Sequence, residues 1–255
     1  MRRNNSSRRD LLGAGLLWLA LVAIGEAILF GFEFLPEQFS REARIIDDAF
    51  ILLSILGIPV FAFVVSVVIY SAFKFRANGD SLEDGPPIKG SKKVVAAWLT
   101  ITSALALAIL INPGFVGLAE LRADPEPDLI IEVESQRWSW NIIYPNGVES
   151  SEELVVPVDT RIRFDVTARD VLHSFWVPAF RMKIDAVPGM TTHAFVTPTK
   201  IGTFGEDPGL RVQCAELCGI GHAQMAIPVR VVSQAEFEVW LSSQATVDAL
   251  SEGRG

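Results

Sequence analysis

Three apolar runs, at residues 11–32, 51–73 and 94–111, limit what this chain can fold into more than anything else in it. Each comes close to the roughly 20 apolar residues that a helix needs to cross the hydrocarbon core of a bilayer. A helix packed in a soluble protein seldom stays apolar all round for that length. The runs are therefore expected to be membrane helices, and the loop charges set their direction. Arg2, Arg3, Arg8 and Arg9 precede the first run, while Lys74, Arg76, Lys89, Lys92 and Lys93 lie between the second and third. The positive-inside rule assigns both stretches to the cytoplasm. The linker with Glu33, Glu37, Glu42, Asp47 and Asp48, and everything after the third run, are then expected on the outer face of a bacterial-type plasma membrane.

The first run also has features of an export signal, because Ser7-Arg-Arg-Asp-Leu-Leu12 resembles a twin-arginine sequence. It is longer than an ordinary signal core and no Ala-x-Ala site follows it, so a retained helix is the expected reading. Glu26 inside it is costly in lipid. Residues 76–90, with Pro86-Pro87, read as a cytoplasmic turn between the two helices of a hairpin.

After Asn112-Pro-Gly114 the composition changes. The segments 129–133, 161–168, 193–197 and 229–232 are short, β-branched or alternating, and Gly, Pro and Asp turns separate them. They predict an antiparallel β-sandwich or Greek-key barrel. Ser233-Gln-Ala-Glu236 reads as a capping box that opens a last helix with Phe237 and Trp240 on its buried face, and 242–255 as a loose tail. The expected division is 1–35, 36–113 and 114–255: an N-terminal hydrophobic helix or signal segment, a helix hairpin and an extracytoplasmic domain.

Within that last domain, Gln213-Cys-Ala-Glu-Leu-Cys-Gly-Ile-Gly-His-Ala-Gln-Met225 places both cysteines of the protein beside a histidine and a methionine. Thiolate, imidazole and thioether are soft or borderline ligands and favour copper over magnesium or calcium, which take oxygen. Single-copper electron-transfer sites use two histidines, one cysteine and a weak methionine, so the additional cysteine suggests a second copper. A further histidine must come from elsewhere, and His173 and His193 are the two others present. The alternatives are a disulfide, which needs neither His222 nor Met225, and a zinc site, which leaves Met225 unused. A Cys-x-x-Cys redox pair and a c-type haem motif are both absent from the sequence.

These residues resemble subunit II of the haem-copper cytochrome c oxidases. The family's dinuclear copper motif, Cys-x-Glu-x-Cys-x-x-x-His-x-x-Met, is met in full by Cys214, Glu216, Cys218, His222 and Met225. An upstream family element is matched by Asp170-Val-Leu-His-Ser-Phe-Trp-Val-Pro178 and Lys183-Ile-Asp-Ala-Val-Pro-Gly189, and the resemblance runs from about Pro36 to Trp240. It implies a cupredoxin fold and a dinuclear copper centre. Cys214 and Cys218 would bridge the metals, His173 and His222 would each supply a nitrogen, and Met225 and the carbonyl of Glu216 would be axial. The Glu216 side chain would face a magnesium or manganese ion at the boundary with subunit I. His193, in the alternating Thr191-Thr-His-Ala-Phe-Val196, is expected to be an ordinary strand residue, with Lys183 and Asp185 supporting the site or a subunit interface.

The resemblance also places an electron-accepting tryptophan in Gln136-Arg-Trp-Ser-Trp-Asn-Ile-Ile-Tyr-Pro145, at Trp138 with Trp140 beside it; Arg137 stands where glutamine is usual. In the third helix Trp98 matches the family, but the glutamate before it is replaced by Lys92-Lys-Val-Val-Ala-Ala97, so no channel-mouth glutamate is assigned. The implied function is to take electrons from cytochrome c, or a small copper protein, and pass them to haem in subunit I, where dioxygen is reduced to water. The implied partners are subunit I, the other oxidase subunits, the donor and membrane lipid. Residues 114–255 carry 11 Lys and Arg against 20 Asp and Glu, a net charge of −9 that suits a basic donor and has the wrong sign for nucleic acid. A quinol oxidase subunit II would keep the fold without the copper ligands. Nitrous oxide reductase shares the copper motif but needs a large additional domain that 255 residues do not accommodate.

Overall fold

The computed structural model describes residues 2–76, 90–123 and 126–252, with side chains from 8 to 244 within those bounds. The expected turn at Pro86-Pro87 lies outside the described residues. Two compact units emerge, one comprising 1–34 and 48–118, the other 35–47 and 119–255.

In the first unit, α1 (Arg2–Gly31), α2 (Arg41–Lys74) and α3 (Lys92–Ile109) supply three helices long and apolar enough to cross a membrane. Their large side chains, such as Leu16, Phe61 and Leu99, are exposed. Small residues let α1 approach α2 closely: a Cβ on Gly25 would lie 2.7 Å from Ile58, and one on Gly13 would lie 2.8 Å from Tyr70. Between these two points the Trp18 indole donates to the Pro59 carbonyl at 2.9 Å, and near Gly13 the Tyr70 hydroxyl donates to Asp10 at 3.1 Å. Close backbone approach with a few interhelical hydrogen bonds is how helices associate where lipid removes the hydrophobic drive. Leu53, Val60 and Val64 of α2 face Leu105 and Ile109 of α3 across an apolar groove of about 610 Å³. The third helical segment extends past the expected end at 111. Asn112, forced out of helical geometry by the proline that follows it, is a kink, and α4 (Val116–Leu121) resumes beyond.

The second unit is a cupredoxin-type β-sandwich. One sheet takes β1 (Leu129–Gln136), β2 (Ser139–Ile143), β3 (Glu149–Ser150), β5 (Ile162–Ala168) and β8 (Thr192–Val196) in the order β3-β2-β1-β5-β8. The other takes β4 (Leu154–Pro157), β6 (His173–Val177), β7 (Met182–Ala186), β10 (Arg211–Cys214) and β11 (Ala226–Val232) in the order β4-β11-β10-β6-β7, with β9 (Gly202–Thr203) paired to β11. Along β5 alternate residues Ile162, Phe164, Val166 and Ala168 are buried, the period-two pattern of a strand with one face on a core. The core also takes Ile131, Val133, Trp140, Phe175, Val212 and Val231.

The four segments expected as strands are β1, β5, β8 and β11, with ends displaced by up to a few residues. The sheets are mixed rather than antiparallel throughout: β1 runs parallel to β5 and β4 parallel to β11. Parallel neighbours need a crossover, and here the chain provides it by passing repeatedly from one sheet to the other. The capping box closes as expected, with the Ser233 N–H donating to Glu236 Oε2 at 3.0 Å and the Glu236 N–H to Ser233 Oγ at 3.3 Å. The expected loose tail is corrected as far as Glu252: α5 (Gln234–Glu252) continues into it, and Ala245, Ala249 and Leu250 are good helix formers.

Two buried ion pairs tie the segment 35–47 to the sandwich. Arg161 pairs with Glu42, both buried, and Arg181 holds Asp47 at 2.8 Å while its guanidinium also donates to the Pro36 carbonyl.

Candidate metal centre

The Cys-rich segment is the connection between β10 and β11. These strands pair from Gln213 opposite Ala226 outward, so the loop between is held shut at its base. Cys214 donates its N–H to the Met225 carbonyl at 3.0 Å, and Ala215 donates to Ser174 O at 3.0 Å, which ties the same loop to β6. Gly219, at φ +123°, adopts the backbone conformation that only glycine takes readily. His173 opens β6, whose pairing with β10 sets Phe175 opposite Cys214. The imidazole and the thiol, far apart in sequence, thus arrive from adjacent strands.

All six expected donors converge. Cys214 Sγ lies 3.8 Å from His173 Nδ1, 3.8 Å from Cys218 Sγ and 3.1 Å from the Glu216 carbonyl oxygen. Cys218 Sγ lies 3.6 Å from His222 Nδ1 and 3.9 Å from Met225 Sδ. His173, Cys214, Cys218 and Met225 are buried, and His222 is half-buried. The sulfurs are far beyond the ~2.05 Å of a disulfide, and both cysteines are free. Donors bound tetrahedrally to one ion at about 2.0–2.3 Å stand about 3.3–3.8 Å apart, close to the spacing seen. His173, Cys214 and Cys218 therefore form a possible metal site, and its sulfur and imidazole donors are consistent with copper. The Glu216 side chain is exposed, while its carbonyl faces the Cys214 sulfur.

Asp170 orients His173. Its Oδ1 accepts from His173 Nε2 at 2.9 Å and from the Val171 N–H at 2.7 Å; its Oδ2 accepts from the N–H and the Nε of Arg137, each at 3.0 Å. With Nε2 engaged by Asp170, His173 turns Nδ1 towards the Cys214 sulfur, the ring orientation this hydrogen-bond network assigns. Burial works to raise the Asp170 carboxyl, but the His173, Val171 and Arg137 donors outweigh it and hold the group well below the usual carboxylate range. Burial, with the neighbouring Cys214 thiol adding to it, pushes the Cys218 thiol up to about 11. In the metal-free site that thiol is protonated at neutral pH.

Two tryptophans flank the centre. Trp140, buried, stands edge-on to His173 and Phe175 with ring centroids 6.3 and 5.5 Å apart, and its indole donates to the Met225 carbonyl at 3.3 Å. Trp138, 41% exposed, lies over the ligand loop so closely that a Cβ on Gly221 would fall 2.4 Å from its ring. His193 is outside the cluster, on β8, bonded through Nδ1 to Asp165 at 2.8 Å, and Lys183 and Asp185 are exposed on β7. Sequence reasoning passed over Asp170. The signal was there, since it stands three residues before His173 inside the quoted element.

Fold and site together define a class: a membrane-anchored cupredoxin-type domain with a buried pair of thiols flanked by two imidazoles and a thioether. Residues 144–232 match the family model described as Cytochrome C oxidase subunit II, periplasmic domain. Cytochrome c oxidase subunit 2 of Thermostichus vulcanus is 30% identical over 258 residues, covering 81% of this chain and 77% of that protein. Probable cytochrome c oxidase subunit 2 of Rickettsia bellii is 33% identical over 213 residues, covering 74% and 76%. A crystal structure of the periplasmic domain of subunit II of cytochrome oxidase of Bradyrhizobium japonicum is 35% identical, with a TM-score of 0.44 and coverage of 48% of this chain and 96% of that one. The chain belongs to the cytochrome c oxidase subunit II family and is a subunit of a haem-copper oxidase.

Proposed function

We propose that this subunit receives electrons from an outer-face carrier, cytochrome c or a small copper protein, and delivers them to haem in subunit I. The convergence of Cys214, Cys218, His173, His222, Met225 and the Glu216 carbonyl within hydrogen-bonding range of the two sulfurs carries this reading. Bound by these six donors, two copper ions would supply one-electron redox chemistry. The protein's own part is to hold the donors on strand ends and a pinned loop, so that they move little when charge changes, and to keep water from the buried sulfurs. The exposed Glu216 carboxylate is free to meet a magnesium or manganese ion at the subunit I boundary. In this reading residues 1–35 add a retained helix to the hairpin of 36–113, and 114–255 stand on the outer, periplasmic face. The test is copper stoichiometry with electron paramagnetic resonance on the intact subunit. Two coppers per chain, with one unpaired electron shared equally between two nuclei, are expected; one copper or none would refute the reading.

Both cysteines must lose protons to bind copper, so uptake is expected to release protons and the apparent affinity to rise with pH from the acid side. The raised Cys218 thiol makes this dependence persist through the neutral range. A loading curve independent of pH would argue against thiolate ligation.

Trp138 is placed to receive electrons, being partly exposed on one edge and in contact with the ligand loop on the other. Trp138→Ala is expected to slow reduction by the donor at least about tenfold with copper content unchanged, through the lost anchor of a docking surface. Stopped-flow reduction kinetics that match the parent's would remove Trp138 from this role.

A further inference from the structure

We propose that Arg137 is a positioning residue of the metal centre, acting through Asp170 on His173 and through its main chain on Trp138. The proposal rests on the copper reading above and goes beyond it. Arg137 supplies two of the four hydrogen bonds that Asp170 accepts, both to Oδ2, one from its main chain and one from its guanidinium. Its guanidinium is 51% exposed and the Asp170 carboxylate 24%. The other carboxylate oxygen holds the Nε2 proton of His173, whose opposite nitrogen faces Cys214. The next residue in the chain is Trp138, whose ring rests on Gly219 and Gly221, immediately before His222. One short turn between β1 and β2 therefore touches both imidazole-bearing segments.

The charge on Arg137 has a definite electrical consequence. Beside the guanidinium, Asp170 is a partly neutralised acceptor and draws less on the Nε2 proton of His173. Without it, the full carboxylate charge makes His173 a stronger electron donor, which favours the oxidised centre. Partners of this kind, one step beyond the ligands, tune metals through ligand basicity. The resemblance places glutamine at this position, so the charge is a feature of this chain rather than of the motif.

The test uses the assembled oxidase with Arg137→Ala, Arg137→Lys and Asp170→Asn in the full chain. Copper per subunit, the midpoint potential of the centre and its paramagnetic resonance spectrum are measured on each. Arg137→Ala is expected to keep two coppers and lower the midpoint, changing the reduced-to-oxidised ratio at fixed potential by about two- to fivefold, the weight of a partly exposed ion pair. Arg137→Lys restores most of that shift, and Asp170→Asn moves the midpoint the opposite way. An unmoved midpoint in Arg137→Ala, or shifts of the same sign in the alanine and asparagine variants, would overturn the proposal. If the alanine variant loses copper, the lysine variant decides: the parent midpoint supports the charge role, and a loss like alanine's refutes it. A parent oxidase lacking copper would overturn the copper reading itself, an outcome distinct from all of these.

Discussion

Cys218→Ser is expected to abolish the proposed dinuclear copper centre and, with it, the proposed oxidation of the donor. Cys218 Sγ stands within 3.6 to 3.9 Å of His222, Cys214 and Met225, so it neighbours one nitrogen donor and two sulfur donors of the site. Serine preserves the shape and the fold. Its oxygen is hard, smaller and far less acidic, and does not replace a bridging thiolate for a soft metal. Loss of even an outer partner costs metal sites roughly 10- to 100-fold in affinity, so removal of this ligand is expected to lower donor oxidation by more than about 100-fold. Copper analysis should find fewer than two ions per chain, and the shared-electron signal should vanish. Two coppers with that signal intact would show that Cys218 is not a ligand.

Glu42→Ala is expected to destabilise the β-sandwich strongly, although it lies far from the metal centre in sequence. The side chains of Glu42 and Arg161 are 8% and 7% exposed. Glu42 Oε1 takes the Arg161 guanidinium, and Oε2 accepts the Thr197 N–H at 2.8 Å. Truncation removes the carboxylate that the Arg161 guanidinium and the Thr197 N–H share, while the guanidinium retains Thr197 Oγ1 at 3.3 Å and the Leu121 carbonyl at 3.4 Å among its partners; breaking a buried pair from one side costs about 3–5 kcal/mol. A drop of roughly 10 °C in the midpoint of thermal unfolding of the β-sandwich would follow. Glu42→Gln retains the volume and one acceptor and should fall between. A change under about 1 kcal/mol would mean the pair behaves as though water reached it.

The difference between what was legible and what was not follows the range of the physics. The apolar runs were plain because crossing a bilayer is a property of one helix; α2 contains its run, and α1 and α3 stop one and two residues short of the ends of theirs. β5 was plain because it alternates. β6 was not, although it carries His173. His173, Ser174, Phe175 and Val177 are all buried, so no period of two marks the strand. β10 is too short to show a pattern, and the kink at Asn112 hid the continuation into α4. Glu42 read as one acid among several in a linker. Nothing local to it foretold Arg161, 119 residues on.

By itself, the sequence determined which donors this protein has and that its N-terminal part is built for a membrane, since ligand chemistry and hydrophobicity belong to single residues and short runs. Only the tertiary structure decided that His173 meets Cys214, that Asp170 turns the imidazole and that Arg137 braces Asp170 beside Trp138. Those meetings depend on which strands pair and in what register, and that is settled by packing of the whole core rather than by any segment alone.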